Sequence, residues 1–222
     1  GIFATLDGTV KNLRVAGSFT TTATAKVTLG AVAGKLGEKA QIVGCTNTAG
    51  IAMNVDASGT TVIGGIFGQG AAGNVIADNT NEGRITVRRK TPGDAAAVAG
   101  VGGWAYSDVT GCVNKGEIRY SDEVSAAKAV YVGGVLGRLD IGKGYVVEGC
   151  RNEAPVTLAT AQAANNLLGG IAAYANGENR DTPNTIRNCE NRGDVLADAP
   201  VDTVYLSELS SAAMKRRTEM SF

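Results

Sequence analysis

Histidine is absent from this chain of 222 residues, and aromatic residues make up only 5% of it. The missing histidine removes the most common general base and a frequent zinc ligand, which disfavours nucleophilic hydrolases and zinc sites. Lys plus Arg and Asp plus Glu number 21 each, and no segment concentrates positive charge, so no nucleic-acid partner is expected. No run of about 18 apolar residues occurs, so the sequence predicts no membrane span. Neither a metal nor a cofactor is expected.

Glycine is abundant by contrast, with 31 Gly beside 4 Pro and 44% hydrophobic residues. Small and β-branched residues in this proportion favour many short β-strands over a core of large rings. The length is compatible with one domain or two, so the domain count depends on internal organisation.

Two landmarks recur along the chain at nearly constant intervals. The first is a glycine preceded by small or apolar residues, at Gly34, Gly65, Gly100, Gly134 and Gly170, with spacings of 31, 35, 34 and 36 residues. The second is Cys-x-Asn, or Asn-x-Asn in one unit, at Cys45/Asn47, Asn79/Asn81, Cys112/Asn114, Cys150/Asn152 and Cys189/Asn191. Ile or Val stands three residues before the second landmark and six residues after its first position in all five units. Such fixed offsets beside variable gaps are typical of stacked coils.

The repeat predicts an all-β fold, a parallel β-helix that forms a single domain over residues 1–222. We expect about six to seven coils of about 34 residues, with a degenerate N-terminal unit and a frayed last unit at 204–209. Segments such as 83–87 and 116–120 alternate as half-buried strands do, which suggests three short strands per coil. A β-propeller would need four antiparallel strands per blade, and a leucine-rich repeat would need regularly spaced leucines.

The glycine landmark resembles the motif of the GLUG-repeat family of bacterial surface and secreted proteins. The resemblance is carried by Gly65-Ile66-Phe67-Gly68, Gly134-Val135-Leu136-Gly137 and Gly1-Ile2-Phe3-Ala4, whereas the units at Gly100 and Gly170 lack the bulky residue. It implies a right-handed β-helix, an extracellular or bacterial cell-surface location and a role in adhesion, sometimes beside a separate catalytic domain. It supplies no catalytic residues.

The Asn and Cys columns are predicted to point into the solenoid. Asn47, Asn81, Asn114, Asn152 and Asn191 would form a structural ladder in which each side-chain amide bonds the next. The cysteines occupy one equivalent position of the repeat, so their spacing is a packing period, and we expect free, buried thiols.

A surface column offers the sharpest functional hypothesis. Four residues after the glycines stand Glu38, Gln69, Trp104, Arg138 and Tyr174, and six after stand Ala40, Ala71, Tyr106, Asp140 and Asn176. If they share one face, Trp104, Tyr106, Arg138, Asp140, Tyr174 and Asn176 form a ligand-binding patch. Trp104 and Tyr174 would be stacking platforms for a sugar, and Arg138 with Asp140 or Asn176 would supply directional hydrogen bonds. An ordinary solvated strand face is the alternative.

Two further segments allow a functional or a structural interpretation. The insertion 176–184 could be a recognition loop or merely a tolerated one. Arg88-Arg89-Lys90 is interpreted as a solvated turn.

The sequence favours a non-catalytic module of a bacterial surface protein that adheres to or binds a glycan. Its partner would be a host or dietary glycan or another surface protein. The alternatives are a structural spacer in a longer surface protein, or a β-helix enzyme that degrades polysaccharides. A hydrolase would need converging carboxylates, and a lyase would need a base such as Lys or Arg with a cation or other means of stabilising the anionic intermediate. The acidic residues Asp108, Asp122, Asp140, Glu148 and Asp181, however, fall in different gaps of the repeat.

Both ends of the solenoid should need cover, because stacked coils expose unpaired strand edges. Residue 1 lies within a repeat unit, so we expect a preceding domain or coil. At the other end, residues 207–222 combine Leu209, Ala213 and Met214 with charged residues and are predicted to form a C-terminal cap.

Deleting residues 207–222 should therefore cause aggregation, since the last strand edge would be exposed. Size-exclusion chromatography with light scattering measures this directly. A truncated chain that stays soluble and monomeric would argue against the cap.

Overall fold

The chain folds into a parallel β-solenoid, as the repeat predicts. The computed structural model describes residues 1–91, 93–123, 128–140, 144–160, 165–175, 182–197 and 204–207. Within these residues every regular element is a β-strand, and the strands form five parallel sheets of six strands each. Paired strands lie about 34 residues apart, as in the pairing of Val27 with Thr61, so the chain completes about five turns. No helix that is long and apolar enough to cross a membrane occurs in the described part of the chain.

We number the sheets in the order in which the chain enters them. Sheet 1 contains Phe3–Leu6, Ala33–Leu36, Phe67–Gln69, Gly102–Ala105, Leu136–Leu139 and Ala172–Ala175. Sheet 2 contains Thr9–Lys11, Gln41–Val43, Val75–Ala77, Val109–Thr110, Val146–Glu148 and Thr185–Arg187. Sheet 3 contains Arg14–Val15, Thr46–Asn47, Thr80–Asn81, Val113–Asn114, Arg151–Asn152 and Glu190–Asn191. Sheet 4 contains Ser18–Ala23, Gly50–Val55, Ile85–Arg89, Ile118–Asp122, Val156–Thr160 and Val195–Ala197. Sheet 5 contains Val27–Gly30, Thr61–Gly64, Ala96–Ala99, Val130–Gly133, Asn166–Gly169 and Val204–Ser207.

Each coil contains five short strands, so the predicted three-stranded coil is wrong. A left-handed residue bends the chain between sheets 2 and 3 in every layer. These residues are Asn12, Gly44, Asp78, Gly111, Gly149 and Asn188, with φ between 54° and 66°. Gly, Asn and Asp are the residue types that adopt this conformation most readily. A side chain at Gly111 would in addition meet the carboxylate of Asp78, because a Cβ there would lie 2.2 Å from Oδ1.

The strand register corrects one detail of the predicted repeat and locates its last described strand. Ala33 pairs with Phe67, which places Ala31 rather than Gly34 opposite Gly65 and makes that spacing 34 residues. The last described strand, Val204–Ser207, pairs with Asn166–Gly169 as the sixth strand of sheet 5. It lies in the frayed last unit predicted at 204–209, of which residues 208 and 209 are outside the described part of the chain.

The interior is divided into two hydrophobic clusters. Sheets 1, 2 and 3 enclose one cluster, which includes Phe67, Leu136, Ile42 and Cys112, all fully buried. Sheets 4 and 5 enclose the other, which includes Ile85, Val87, Ile118 and Val132, also fully buried. Ile and Val stack well along parallel strands because equivalent residues lie directly above one another.

The predicted asparagine ladder is formed at the boundary between sheets 3 and 4. Nδ2 of each asparagine donates to Oδ1 of the next, at 2.8 Å for Asn47 to Asn81, 2.8 Å for Asn81 to Asn114, 2.7 Å for Asn114 to Asn152 and 2.8 Å for Asn152 to Asn191. The same amide donates to the carbonyl oxygen two residues later, for example from Asn114 to Gly116 at 3.0 Å. Both amide hydrogens are thus used, and the column points inward.

The two sequence landmarks touch each other across the solenoid. A Cβ on Gly65 would lie 2.4 Å from Cγ of Asn81, and one on Gly100 would lie 2.2 Å from Cγ of Asn114. Gly134 and Gly170 meet Asn152 and Asn191 in the same way. In these four layers the asparagine amide occupies the space that a side chain would need, whereas the equivalent residue of the preceding layer is Ala31.

The cysteine column also points inward. Cys45, Cys112 and Cys150 are buried, Cys189 is half-buried, and all four are free thiols. The hydrogen bond with Cys112, the largest effect, and burial raise the pKa of Cys150 to about 12. Asn79, which replaces cysteine in its layer, accepts a hydrogen bond from the backbone N–H of Cys45 at 2.9 Å.

The segment Arg88-Arg89-Lys90 is not a solvated turn throughout. Arg88 and Arg89 end a strand of sheet 4, in which alternate residues face opposite sides, so Arg88 is exposed and Arg89 is fully buried. Arg89 donates to the carbonyl oxygens of Asp94 at 2.6 Å and Gly59 at 2.8 Å. Its partner in the next strand is the buried Asp122. Through these two hydrogen bonds Arg89 connects the loops at Asp94 and Gly59 to sheet 4.

Replacing Asn114 by Ala should lower the free energy of unfolding by roughly 2–4 kcal/mol, since each buried polar group left without a partner costs about 1–3 kcal/mol. Urea denaturation measures the change. Asn54→Ala, on the outer side of sheet 4 and half-exposed, is the control and should cost less than about 0.5 kcal/mol. Equal losses for the two variants would contradict a stabilising ladder.

Candidate functional site

The outward column of sheet 1 brings most of the predicted patch together. Strand pairing places Trp104 next to Arg138 and Arg138 next to Tyr174. Gln69 precedes Trp104 in the column, and Lys35 precedes Gln69. The first member is therefore Lys35 and not Glu38, because the register moves by three residues with the corrected glycine landmark.

Tyr106 and Asp140 stand just beyond the ends of two neighbouring strands of sheet 1. The backbone N–H of Asp140 donates to the carbonyl oxygen of Ala105 at 3.0 Å, so the two strand ends remain in register. The rings of Trp104 and Tyr106 are nearly parallel, at 11°, with their centroids 6.0 Å apart. Asn176, the sixth residue of the predicted patch, lies outside the described residues.

Arg138 lies at the centre of the group and contacts three aromatic rings. Its Cζ atom is 4.3 Å from the centroid of Trp104, 5.5 Å from that of Tyr174 and 5.6 Å from that of Tyr131. Such cation–π contacts contribute about 0.5–2 kcal/mol each. Tyr131, in turn, lies 5.5 Å from Tyr174 with the two rings tilted by 40°.

Tyr131 is a member that the sequence reasoning missed. It belongs to a strand of sheet 5, Val130–Gly133, in which the sequence pattern had identified only the small and apolar residues before the glycine landmark. Tyr131 is half-exposed and lies between the buried Val130 and Val132. This alternation of a polar aromatic residue with apolar neighbours is the sequence signal that could have predicted its outward position. We call Trp104, Tyr106, Tyr131, Arg138, Asp140 and Tyr174 the aromatic–arginine cluster.

Asp140 connects the charged and aromatic members of the cluster. It accepts hydrogen bonds from Nε1 of Trp104 at 3.0 Å and from Nη2 of Arg138 at 3.1 Å. The side chains of Arg138 and Asp140 are only 21% and 14% exposed, so this ion pair is held in one geometry and is screened little by solvent. The carboxylate therefore fixes both the indole ring and the guanidinium group.

The insertion 176–184 reaches the cluster through its last residue. Nδ2 of Asn184 donates to the carbonyl oxygen of Asp140 at 2.9 Å, and Oδ1 of Asn184 accepts from the backbone N–H of Tyr145 at 2.9 Å. Residues 176–181 lie outside the described residues.

The cluster has little net charge, and the phenol group of Tyr106 stays neutral at physiological pH. Burial, followed by the charge of Asp140, raises the pKa of Tyr106 to about 12. Arg138 covers one face of Trp104, so that face is not the open stacking platform that the sequence suggested. The ring edges and hydroxyl groups of the tyrosines are what such a surface offers to a ligand.

The acidic residues considered for catalysis make other contacts. Asp108 accepts from the backbone N–H of Val146 at 2.8 Å, and Glu148 pairs with Arg187 at 2.8 Å. Asp122 is buried beside Arg89, whereas Asp181 lies outside the described residues. No group of three or more acidic or cysteine side chains suited to a metal ion is found among the residues that the structure describes.

The sequence matches no protein-family model, and no curated protein and no solved structure matches the chain.

The raised pKa of Tyr106 predicts a specific loss of stability in alkali. A tyrosine in the unfolded chain loses its proton near pH 10, whereas Tyr106 in the folded protein keeps it to about pH 12. Its contribution to stability is therefore complete below pH 10 and is lost as the pH rises from about 10 to 12. The stability difference between the protein and Tyr106→Phe should shrink over that range, as measured by urea midpoints. A difference that stays constant from pH 8 to 12 would contradict this assignment.

Proposed function

We propose that this solenoid is a non-catalytic, extracellular binding module of a bacterial surface protein and that it binds a carbohydrate at the aromatic–arginine cluster. The observation that carries the proposal is the convergence of three aromatic residues, two from sheet 1 and one from sheet 5, around Arg138. Aromatic rings beside planar hydrogen-bonding groups form surfaces that suit sugar rings.

The rigidity of the cluster supports a binding role. Hydrogen bonds from Trp104 and Arg138 to Asp140 fix the polar groups before a ligand arrives. Binding then costs less conformational entropy, because fewer side chains must be ordered. A sugar would meet the tilted rings of Tyr131 and Tyr174, while Trp104 packs against Arg138 from the preceding coil.

The surface setting rests on the sequence motif and on the architecture. The Gly-Ile-Phe-Gly and Gly-Val-Leu-Gly segments resemble those of GLUG-repeat proteins, which implies adhesion at the bacterial surface. A stacked parallel solenoid presents long flat faces, and such faces suit extended ligands.

A structural spacer is the second candidate function. It is favoured by the fact that Asp140 satisfies Trp104 and Arg138 within the protein, as a purely structural cluster also would. A polysaccharide-degrading enzyme is less well supported, because Asp108, Glu148 and Asp122 are engaged in separate contacts.

Glycan retention by variants of the cluster tests the proposal. Tyr174→Ala should weaken retention of a glycan identified on an array by at least about tenfold, which corresponds to about 1.4 kcal/mol. Tyr174 is a better choice than Trp104, since removing Trp104 would also release Arg138 and Asp140. Val75→Ala removes an exposed apolar side chain from sheet 2 and should leave retention unchanged.

The absence of any retained glycan for the unmodified protein would leave the spacer as the better account. Equal retention by Tyr174→Ala and Val75→Ala would place the glycan elsewhere on the surface.

A further inference from the structure

A second outward surface, on sheet 4, carries a concentration of arginine that the sequence pattern conceals. A cavity of about 400 Å³ lies there, lined by Arg84, Thr86, Arg88, Arg119, Ser121, Glu123 and Ala159. We propose that this cavity binds an acidic sugar residue, recognised through its carboxylate or sulfate group. The site is distinct from the aromatic–arginine cluster, and its existence does not depend on the function proposed above.

The strand register explains how three arginines meet. Arg119 pairs with Thr86, the residue midway between Arg84 and Arg88 in the preceding coil. Diagonal neighbours two residues away in adjacent strands lie about 7–8 Å apart, within reach of long side chains. The three arginines are therefore the neighbours of Thr86 on this face and line the same cavity, although 31 residues separate Arg88 from Arg119 in the sequence.

A β-bulge opens the hollow between these side chains. Tyr120 pairs with Leu158 but Ser121 pairs with Thr160, which leaves Ala159 as an extra residue without an opposite partner. Bulges bend a strand and change the direction of its side chains, and they are frequent beside binding sites. Because Ala159 carries only a methyl group, the bulge leaves space on a face that would otherwise be flat.

The charges in the cavity favour an anion. Arg84 is partly neutralised by Glu117, at 3.1 Å from Nε, while Glu123 adds one negative charge at the rim. Arg88 is exposed and forms no ion pair with any residue that the structure describes. A guanidinium group binds carboxylate and sulfate oxygens through paired N–H donors.

The remaining lining favours a sugar as the carrier of the anion. Thr86 and Ser121 offer hydroxyl groups, and Glu123 offers an acceptor for ligand hydroxyls. The volume is at the lower end of the range of about 300–1,000 Å³ that small-ligand sites occupy. The cavity is therefore of a size for one or two acidic sugar residues, and polar groups other than arginine are present to bind their hydroxyls.

Binding should be measured by isothermal titration calorimetry with trigalacturonate and a sulfated chondroitin disaccharide. Cellotriose serves as the neutral sugar, inorganic sulfate as the free anion and a short single-stranded oligonucleotide as another polyanion. We expect at least one acidic saccharide to bind at least tenfold more tightly than any of these three, with an affinity that falls as salt is added.

The double variant Arg88→Gln/Arg119→Gln should weaken that binding at least tenfold. Arg14→Gln/Arg187→Gln, which removes the same charge from exposed arginines on sheets 3 and 2, should change it less than twofold. Circular dichroism of each variant checks that the solenoid is intact.

Several outcomes would overturn the proposal. They are no binding of either acidic saccharide, equal binding of cellotriose, sulfate or the oligonucleotide, and equal losses in the two double variants. Tyr174→Ala separates this proposal from the previous one, because it should leave acidic-saccharide binding at the sheet 4 cavity unchanged.

Discussion

The contact between the asparagine ladder and the facing glycines is the constraint on which the rest of the cross-section depends. Each amide bonds the layers above and below and occupies the space in which Gly65, Gly100, Gly134 or Gly170 would carry a side chain. The coil is consequently narrow at this point, with one hydrophobic cluster on each side. A shift of one coil by a single residue would break the ladder and place a side chain against an amide. The ladder thereby sets how each coil is aligned with the next, and this alignment applies to all five sheets.

The interior of the fold could be read from the sequence because its residues must repeat. Asn47 and Asn81 lie over one another, so they stand at the same offset from the flanking Ile and Val residues in each unit. The prediction of the repeat failed at positions where several residue types can occupy the same place in the coil. Gly34 looked like the landmark glycine, yet it stacks on Gly68, and the true counterpart of Gly65 is Ala31. The left-handed residue between sheets 2 and 3 was overlooked because it alternates among Gly, Asn and Asp.

The outward faces were harder to predict, since nothing requires equivalent outward residues to match. The positions of Trp104, Arg138 and Tyr174 followed from their distance to the glycine landmark, and the structure places them side by side. Tyr131 joins them from a different sheet, across a bend whose geometry no spacing reveals. Arg89 was misjudged for a related reason. Its charge suggested solvent, but strand alternation and two carbonyl acceptors bury it beside Asp122.

The bend between sheets 2 and 3 restricts how such a protein can lengthen by duplication of its coils. A Cβ on Gly44 would lie 2.6 Å from Oδ1 of Asn12, and a Cβ on Gly111 would lie 2.2 Å from Oδ1 of Asp78. The later layer of each pair therefore has no room for a side chain. A coil with Asn or Asp at the bend must therefore be followed by a coil with Gly. Copying the coil of Asp78 directly after itself would place two carboxylates in one space, whereas copying it together with the coil of Gly111 would preserve the stacking. A coil with Gly at the bend can be copied singly, as the succession of Gly111 and Gly149 shows, whereas a coil with Asn or Asp must be copied together with a Gly coil.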